Sequence, residues 1–434
     1  MSEWKKIKIG DIFSIEKGSL QSSKCTPGEY DFITAATDWK THNSFDHECE
    51  AIVYAVAASG SLGRVHYVNG KFIASDLCFI LTEKDKKQYP INFLFYQIVF
   101  EMLRDEIVSK TKTGTSKESI NRGNFSNYEI PYFPIEFQLA NYQKFVNAKN
   151  IVKNLLAEAE VQKNYIKQLR QNILQQAIEG KLTADWRKKN PVQKGNPDYD
   201  AEALFEQIQK ERSNEKKQKE LSPITDEEKP FEISESWKWV RLGEISLLIT
   251  DGKHGDSVNQ NNSGYFFLSA KDIQNGELIY TNARQITEKD FHETHRRTNL
   301  EPGDICIVNT GATVGKLAIA PDNPKTYMTT FQKSVAVVKL VKNLVSNIYI
   351  KFFLLFDVPK LMATSWGSAI NNLLLSDMKK EPIPLPPFAE QKEIVIQVEK
   401  HLKTVAELEK QITEREQLSK QLMQSILKDA FEEN

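Results

Sequence analysis

The amino-acid sequence predicts an α+β protein with a pseudo-two-fold internal repeat. Two mixed α/β domains are expected at opposite ends of an antiparallel pair of long helices that forms a coiled-coil spacer. Three observations predict this: a long repeat, a proline-rich segment at the same place in each copy, and a heptad pattern of apolar residues after each segment. The 434 residues, 40% hydrophobic and 26% charged, suit two or three folded domains and exclude a chain that is disordered throughout.

The composition also limits the class of protein. The sequence has no apolar run long enough to cross a membrane and no apolar core behind its first residues, so we expect a cytoplasmic protein without membrane contact. Cys25, Cys49, Cys78 and Cys306 are widely spaced, which indicates reduced packing residues rather than disulfides or zinc ligands. Because the net charge is −1, binding to nucleic acid would need positive charge that is local or supplied by a partner.

The repeat appears when the sequence is aligned with itself. Shifted by 253 positions, residues 114–178 align without a gap to residues 367–431, with 14 identities in 65 positions. Residues 4–12 also match residues 237–245, at a shift of 233, so the second copy carries about twenty extra residues between its two matched segments. A weaker match pairs Gly60–Arg64 with Ala312–Lys316. The chain is therefore a duplicated unit.

Each copy begins with short β-branched and aromatic runs separated by Gly, Asn and Asp, which predict strands. The predicted strands are Ala51–Ala57, Tyr67–Leu81, Tyr265–Ser269 and Ser334–Val341. Each copy then reaches a proline-rich hinge, at residues 130–134 and 383–387, where proline prevents a helix and favours extended backbone.

A long helix is predicted after each hinge, at about residues 137–179 and 389–431, each about 60 Å long. Gly180 is placed to end the first helix. The first heptad seam is Phe145, Ala148, Val152, Leu155, Ala159, Gln162, Ile166, Leu169, Ile173 and Gln176. The second seam is Val398, Val405, Leu408, Ile412, Leu422 and Ile426, interrupted by His401, Arg415, Ser419 and Asp429. We expect the two helices to bury these seams against each other, the second less tightly because it is less apolar.

Connectivity predicts that the helices run antiparallel, because the first leads away from its domain and the second must return along it. The expected boundaries are 1–135 for the first domain, 136–180 for its helix, 181–236 for a charged connector, 237–388 for the second domain and 389–434 for its helix. The connector contains a predicted short helix at about residues 201–217, with Leu204, Phe205 and Ile208 on one side.

The order and duplication of these motifs resemble the specificity subunit of type I restriction-modification systems, over essentially the whole chain. That family has two target-recognition domains, each opened by a WKxxxLG(D/E)I-like segment and closed by a PLPPxxEQ-like hinge before a long helix. Residues 383–391 (IPLPPFAEQ) fit closely, and residues 180–187 (GKLTADWR) resemble the family's end-of-helix segment. The first copy departs from the pattern, with Tyr132-Phe133 for Leu-Pro and Phe137 for Glu, but keeps Gln138.

The resemblance implies a protein without catalysis of its own. Each domain would bind one half of a bipartite, asymmetric site in double-stranded DNA. Two methyltransferase subunits, and restriction subunits through them, would bind this chain and supply adenine methylation and ATP-dependent cleavage. S-adenosylmethionine, ATP and Mg²⁺ are then expected on those partners, with no cofactor and no metal on this chain.

Candidate DNA contacts lie in polar loops whose Lys, Arg, Gln, Asn and Ser side chains suit phosphates and base edges. In the first copy they are Lys17, Ser19, Gln21, Ser22, Lys24, Ser59, Ser61, Arg64, Lys110, Lys112, Thr113, Thr115, Ser116, Lys117, Asn121 and Arg122. In the second copy they are Lys253, His254, Asn259, Lys271, Arg284, Arg296, Arg297, Thr310, Thr313, Lys316, Ser365, Ser368 and Asn371. The alternative for each is an ordinary solvated side chain.

Other readings of these motifs are weaker. Residues 310–316 resemble a nucleotide-binding loop, but the glycine spacing is one residue short and Leu317 replaces the required Ser or Thr. His292 and His295 lack further ligands for a metal site and are expected in an exposed loop. A self-contained methyltransferase or nuclease is disfavoured, because the sequence has neither an (N/D)PPY box nor a glycine-rich cofactor loop after a first strand. A coiled-coil scaffold for proteins alone, or a subunit of a modification-only complex, remains an alternative.

Overall fold

The computed structural model describes residues 5–58, 60–114, 118–214, 220–364 and 372–432. The chain divides into two compact units. Unit 1 comprises residues 1–162 and 411–434, and unit 2 comprises residues 163–410. Both contain sheets and helices, so the predicted α+β class is confirmed. No helix among the described residues is both long enough and apolar enough to cross a membrane.

Unit 1 contains ten strands and the start of a long helix in its described part. The strands are β1 Lys5–Lys8, β2 Phe13–Lys17, β3 Tyr30–Ile33, β4 Lys40–His42, β5 His47–Ala55, β6 Val65–Ala74, β7 Cys78–Glu83, β8 Lys112–Thr113, β9 Ser119–Ile120 and β10 Glu129–Tyr132. The helices are α1 Ile9–Ile12, α2 Phe93–Met102, α3 Arg104–Thr111, α4 Arg122–Asn127 and α5 Ile135–Ile178, of which α5 continues into unit 2.

Unit 2 repeats this plan after the connector. Its helices are α6 Ala184–Lys189, α7 Ala201–Ser213, α8 Glu288–Thr298, α9 Pro324–Tyr327, α10 Asn347–Thr364, α11 Leu375–Lys380 and α12 Phe388–Glu432, of which α12 continues into unit 1. Its strands are β11 Lys238–Arg241, β12 Ser246–Asp251, β13 Phe266–Leu268, β14 Ile273–Gln274, β15 Glu277–Leu278, β16 Ile305–Val308, β17 Leu317–Ile319, β18 Thr329–Phe331, β19 Val335–Leu340 and β20 Pro382–Leu385.

The main sheet of unit 1 has the strand order β2-β7-β5-β6-β3-β4, and its centre is buried on both faces. Along β5, Ala51, Val53 and Ala55 face one hydrophobic cluster, whereas Ile52 and Tyr54 face the cluster formed with helices α2 to α4. This explains why residues 51–55 of β5 are a continuous apolar run rather than an alternating one. The amides of Ser19 and Leu20, just beyond β2, both donate to the carbonyl of Ala74, so the sheet curls back on itself.

The sheet of unit 2 has the order β12-β19-β16-β17, and β13 pairs in parallel with β18 as β3 does with β6. The predicted strand at residues 67–81 is instead two strands, β6 and β7. The hydroxyl of Ser75 accepts a hydrogen bond from the Leu77 amide at 3.2 Å, and this local turn interrupts the run.

The weak match between residues 60–64 and 312–316 is a true structural equivalence. Gly63 donates its amide to the carbonyl of Ala55 at 2.8 Å, and Gly315 donates to that of Val308 at 2.9 Å. Both glycines have positive φ, +75° and +90°. The same turn therefore follows β5 in unit 1 and β16 in unit 2.

The two sequence motifs that open and close each copy pair with each other. In unit 1, β1 runs antiparallel to the hinge strand β10, with Ile7 opposite Ile130. In unit 2, β11 runs antiparallel to β20, with Val240 opposite Ile383. The motifs recur together because each is half of one ladder.

A buried glutamine follows each ladder at the start of the long helix. The Gln138 amide nitrogen donates to the carbonyls of Phe133 and Pro90, and its oxygen accepts from the Asn92 amide at 2.6 Å. Gln391 is also fully buried; its nitrogen donates to Pro386 and its oxygen accepts from the Ser346 amide at 2.8 Å.

The long helices run antiparallel, as predicted, within each unit. In unit 1 Glu158 lies 4.0 Å from Arg415, and Ile426, further along α12, packs against the cluster that contains Phe145. In unit 2 Arg170 donates to Glu409 at 2.6 Å, and Thr183, just beyond α5, donates to Glu390 at 2.7 Å. In each unit residue numbers therefore rise along one helix as they fall along the other. Gly180, with φ +71°, follows the end of α5 as expected.

One row of the predicted seam is buried on each helix, at every seventh residue. The buried positions are Phe145, Val152, Ala159, Ile166 and Ile173 on α5, and Val398, Val405, Ile412 and Ser419 on α12. The seam prediction was wrong for Leu169, Leu408 and Leu422, which are 40%, 41% and 41% exposed. Two paired helices cover a narrow stripe of each other, and the second row falls outside it.

A buried carboxylate joins three segments of unit 2. Glu390, fully buried at the start of α12, accepts hydrogen bonds from Trp237 at 2.7 Å, from Thr183 at 2.7 Å and from Arg187. The segment at residues 180–187 (GKLTADWR) and the glutamate of the second hinge motif are therefore parts of one hydrogen-bonded cluster. At the corresponding place in unit 1, Phe137 stacks on Phe133 with ring centroids 4.9 Å apart.

The connector packs on unit 2. Helix α7 buries Ala201, Leu204 and Ile208, and Arg212 donates to the carbonyls of Gly243 at 2.8 Å and Ser246 at 3.1 Å. The predicted short helix is confirmed over residues 201–213, and the apolar side of this helix is part of the unit.

We expect Gly63→Ala to destabilise the turn more than Gly60→Ala, although both glycines have positive φ. A Cβ at Gly63 would meet Val108 at 2.6 Å and Arg104 at 2.8 Å, whereas a Cβ at Gly60 meets nothing within 4 Å. The conformational cost is about 1–2 kcal/mol at either position, and overpacking adds about 1–3 kcal/mol at Gly63 alone. Hydrogen exchange of the Ala55 amide measures this difference, and equal losses in the two variants would contradict it.

Removal of the buried carboxylate should open unit 2 locally. We expect Glu390→Ala to cost about 3–5 kcal/mol, because Arg187 and Trp237 lose their buried acceptor. The matched control is Glu409→Ala, which removes an exposed Arg–Glu pair on the same helix and should cost about 0–1 kcal/mol. Hydrogen exchange over residues 180–190 and 388–400 measures both variants. Equal losses of protection in the two variants would mean that burial of the Arg187–Glu390 pair adds nothing to the local stability.

Candidate nucleic-acid interface

The predicted contact segments of unit 1 leave its sheet at one edge. Strands β2 and β5 both end beside the start of β7, where Gly18 donates its amide to Cys78 at 3.0 Å and Val56 donates to Leu77 at 2.9 Å. The loop after β2 and the turn after β5 therefore emerge on either side of β7. We call this end of the sheet, with residues 17–24, 34–46, 56–58, 60–64, 110–114 and 118–121, the loop edge of unit 1.

Two further segments are bonded to this edge. The amide of Ile120 donates to the carbonyl of Val56 at 2.8 Å, which places the β8–β9 hairpin beside the turn. The hydroxyl of Ser19 donates to Asp46 at 2.5 Å, which holds the segment after β3 against the loop. Segments far apart in sequence thus form one continuous surface.

Unit 2 has the same edge, built by equivalent hydrogen bonds. Gly252 donates to Val335 at 3.1 Å, Asn309 donates to Ser334 at 3.0 Å and Leu373 donates to Asn309 at 2.7 Å. The loop edge of unit 2 accordingly comprises residues 252–262, 269–304, 309–316 and 372–374. The repeat extends beyond the matches found in the sequence, because Gly18 and Gly252 occupy equivalent positions.

These two glycines are required by close packing. A Cβ at Gly18 would lie 2.1 Å from the carbonyl oxygen of Ser75, and one at Gly252 would lie 2.1 Å from that of Phe331. A side chain at either position would push the loop away from the sheet.

Four of the five predicted arginines bond to the chain outside a helix of their own. Arg64 donates to the carbonyl of Ala35 and to Ser61, and Arg122 donates to the carbonyl of Ile15. In unit 2 the corresponding bonds join Arg284 to Asp256, Ser257 and Asn259, and Arg297 to Asp251. Their guanidinium groups brace the loops, and any role in DNA contact stays a prediction.

Other predicted residues have exposed side chains. In the loop segments these are Lys17, Ser19, Gln21, Ser22, Lys24, Lys110, Lys112, Thr113, Asn121, His254, Asn259, Lys271, Arg296 and Lys316, whereas Ser61, Lys253, Thr310 and Thr313 are half-buried. Some are partly engaged: Lys112 pairs with Glu118 at 2.7 Å, Asn121 caps α4, and Thr310 donates to Asn372 at 2.9 Å. Seven predicted residues lie outside the described part of the chain: Ser59, Thr115, Ser116, Lys117, Ser365, Ser368 and Asn371.

The pKa values of two histidines near the loop edge of unit 1 are shifted in opposite directions. His66 accepts a hydrogen bond from the indole of Trp39 at 3.1 Å, and burial lowers its pKa, which favours the neutral ring. Burial alone would also lower the pKa of His47, but hydrogen bonds to Asp46 and Glu16 raise it overall. His292 and His295 lie on helix α8, not in the expected loop, because Thr287 caps its start and its apolar side is buried. Among the described residues, no three His, Cys, Asp or Glu side chains gather as metal ligands.

The sequence reasoning missed edge residues in the interval between β3 and β5 and in its counterpart in unit 2. Trp39, 39% exposed, and the exposed Lys289 lie there. The difference in length between the two copies was the available signal. The extra residues of the second copy fall within residues 269–304, which correspond to residues 34–46 in the first.

Comparison with known proteins identifies the family. The family model described as type I restriction modification DNA specificity domain matches residues 1–161 and 234–416, once in each copy. The chain is 22% identical over 459 residues to the type I restriction enzyme EcoDI specificity subunit of Escherichia coli, covering 99% of this chain and 88% of that protein. It is also 43% identical to the EcoAI specificity subunit of E. coli over 83 residues. This aligned stretch covers 18% of this chain and 13% of that protein.

A solved structure shares the fold. A chain from a study of complex assembly and conformational transition of the type I R-M system aligns over 99% of this chain and 98% of its own length, with 16% identity and a TM-score of 0.59. The duplicated architecture, the paired opening and closing motifs and the matched family model together show that the chain belongs to the family of DNA specificity subunits of type I restriction-modification systems.

Proposed function

We propose that this chain is the non-catalytic subunit that selects the DNA site of a type I restriction-modification complex. Each globular unit contacts one half of a bipartite, asymmetric site through its loop edge. The long helices set the spacing between the halves and bind two methyltransferase subunits, through which restriction subunits join. S-adenosylmethionine, ATP and Mg²⁺ are bound by those partners.

The observation that carries the proposal is that the loop edges of the two units are built in the same way. In both copies the polar segments leave the same end of an equivalent sheet, held by equivalent backbone hydrogen bonds. Their side chains differ: Lys17 and Lys24 belong to one loop, and Lys253 and His254 to its counterpart. A conserved frame with different loops suits the recognition of two different half-sites.

Charge supports a dependence on partners. Residues 1–130 hold 16 Lys and Arg against 17 Asp and Glu, and residues 237–380 hold 17 against 13. Because salt-dependent affinity scales with the number of phosphates neutralised, the chain alone should bind DNA modestly. The methyltransferase subunits would supply the remaining affinity.

The long helices carry side chains suited to a protein partner. Tyr165 and Leu169 on α5 are 63% and 40% exposed, and Leu418 and Leu422 on α12 are 63% and 41% exposed. Exposed apolar side chains spread along helices are typical of association surfaces. They also fit a scaffold for proteins alone, which predicts no sequence-dependent DNA retention by the assembled complex.

Exchange of one domain should change one half of the target. We expect replacement of residues 1–130 by those of a relative with a different target to alter one half of the methylated motif, because the unit 1 loop edge lies within them. The measurement is a map of methylated sites in cells that co-express the methyltransferase subunit. Altered bases in both halves, or in neither, would contradict modular recognition.

Shortening both long helices together should shorten the spacer. Deletion of residues 153–159 with residues 413–419 removes one heptad from each helix and keeps the buried rows in register. The expected change is about 10 Å, or roughly three base pairs. The control deletes residues 153–159 alone, which removes Glu158 and leaves the helices unequal, and should impair assembly. An unchanged spacer in the paired deletion would exclude the helices as the determinant of spacing.

A further inference from the structure

Helix α8 distinguishes the loop edge of unit 2 from that of unit 1. Between the equivalent strands β3 and β5, unit 1 has residues 34–46, which contain only the short strand β4 in that interval. Between β13 and β16, unit 2 has residues 269–304, which contain the β14–β15 hairpin and α8. The additional chain in the second copy thus builds a hairpin and an 11-residue helix at the loop edge.

One end of α8 is bonded to the loop that follows β12, and the other end is bonded to the last residue of β12. At its start, Thr287 donates its amide to the carbonyl of Val258 at 3.1 Å, and Asp290 accepts from the Val258 amide. At its end, Arg297 donates to the carbonyl of Asp251 at 2.8 Å and to its carboxylate. The loop at residues 252–257 therefore runs beside the helix, and the two form one surface.

The helix has one buried side and one exposed side. Phe291, Thr294 and Thr298 are buried, and Phe291 stacks on Tyr265 with ring centroids 4.7 Å apart. His295 is half-buried, burial lowers its pKa, and its ring lies 3.1 Å from the carbonyl oxygen of Thr329. These contacts fix the rotation of the helix about its own axis.

The exposed side is polar and charged. Its members are Lys289, His292, Glu293 and Arg296; His292 and Glu293 are neighbours in sequence and lie three or four residues from each of the other two. Arg296 donates from Nε to the carbonyl of His292 in its own helix, and its guanidinium group is at the surface. His292 lies 3.6 Å from Glu288. No large apolar side chain belongs to this set, which disfavours the core of a protein–protein interface.

We infer that α8 enters the major groove of the DNA half-site recognised by unit 2, with Arg296 and Glu293 at base edges and Lys289 at a phosphate. This inference rests on the proposed function. A helix with its side chains is about 10–12 Å across, and the major groove is about 12 Å wide. Arginine can bond both acceptors of guanine, and glutamate can accept from the amino group of cytosine.

Arg296 and Arg297 have separate roles in this arrangement. Arg297 is a positioning residue, because its bonds to Asp251 hold the end of the helix against the sheet. Arg296, one residue earlier, points from a different side of the helix and is available to DNA. Of these two adjacent arginines, Arg297 therefore holds the helix in place and Arg296 contacts DNA.

The test uses the full complex of this chain with its methyltransferase subunit. The variants are Lys289→Ala with Arg296→Ala, and Arg296→Lys alone, which retains charge but loses the planar bidentate group. The matched control is Lys379→Ala with Lys380→Ala, which removes two exposed cations of the same unit at α11. Each variant is scored by its map of methylated sites and by its methylation rate at the wild-type site, after thermal unfolding has verified folding.

We expect the double variant to relax base selection in the half that exchange of residues 1–130 leaves unchanged, and to lower the rate at the wild-type site roughly 5–150-fold. Arg296→Lys should relax the same half, and the α11 control should match the wild type. An unchanged motif, a change in both halves, or a lower rate without any change of motif would overturn the inference. A wild-type complex without a bipartite motif would instead refute the proposed function.

Discussion

The packing of each long helix depends on one buried hydrogen-bonding residue at its start. Gln138 and Gln391 satisfy backbone groups of the hinge and of the residue that precedes α2 or α10 at the same time, through both polar atoms of the amide. An unsatisfied polar group at such a site would be costly, so the amide fixes the direction in which the helix leaves the ladder. A tyrosine has a similar role in each unit. The hydroxyl of Tyr96 donates to the carbonyl of Pro131, and the hydroxyl of Tyr349 donates to the carbonyl of Pro384.

The two copies have diverged where neither this hinge nor the sheet constrains them. At the helix start, Glu390 collects three polar donors in unit 2, whereas Phe137 stacks on a second phenylalanine in unit 1. At the loop edge, unit 1 has a short strand where unit 2 has helix α8. The two copies thus keep the same sheet and hinge but have different side chains and elements at their loop edges. Recognition of two different half-sites requires such a difference.

Within each loop edge, cationic side chains have two different physical roles. Arg64, Arg284 and Arg297 direct their guanidinium groups to carbonyls and carboxylates of the chain, which holds the loops in one conformation. Lysines such as Lys17 and Lys316 remain exposed. Arginine is suited to the first role because its planar group can bond several acceptors at once. A preorganised loop loses less entropy on binding, so these intramolecular bonds lower the entropic cost of binding a ligand at the edge.

The sequence alone determined the duplication, the two hinges, the long helices and the cap at Gly180, because internal repeats, proline and heptad spacing can be recognised without knowing tertiary contacts. The order of the segments along the chain determined the antiparallel direction of the helices. It also placed Gly63 and Gly315 in equivalent turns. Tertiary structure decided which heptad row is buried, which arginines are braces and that residues 288–298 form a helix rather than a loop. It also gathered four separate segments at one edge of each sheet. These outcomes depend on contacts between residues distant in sequence, which no local pattern encodes.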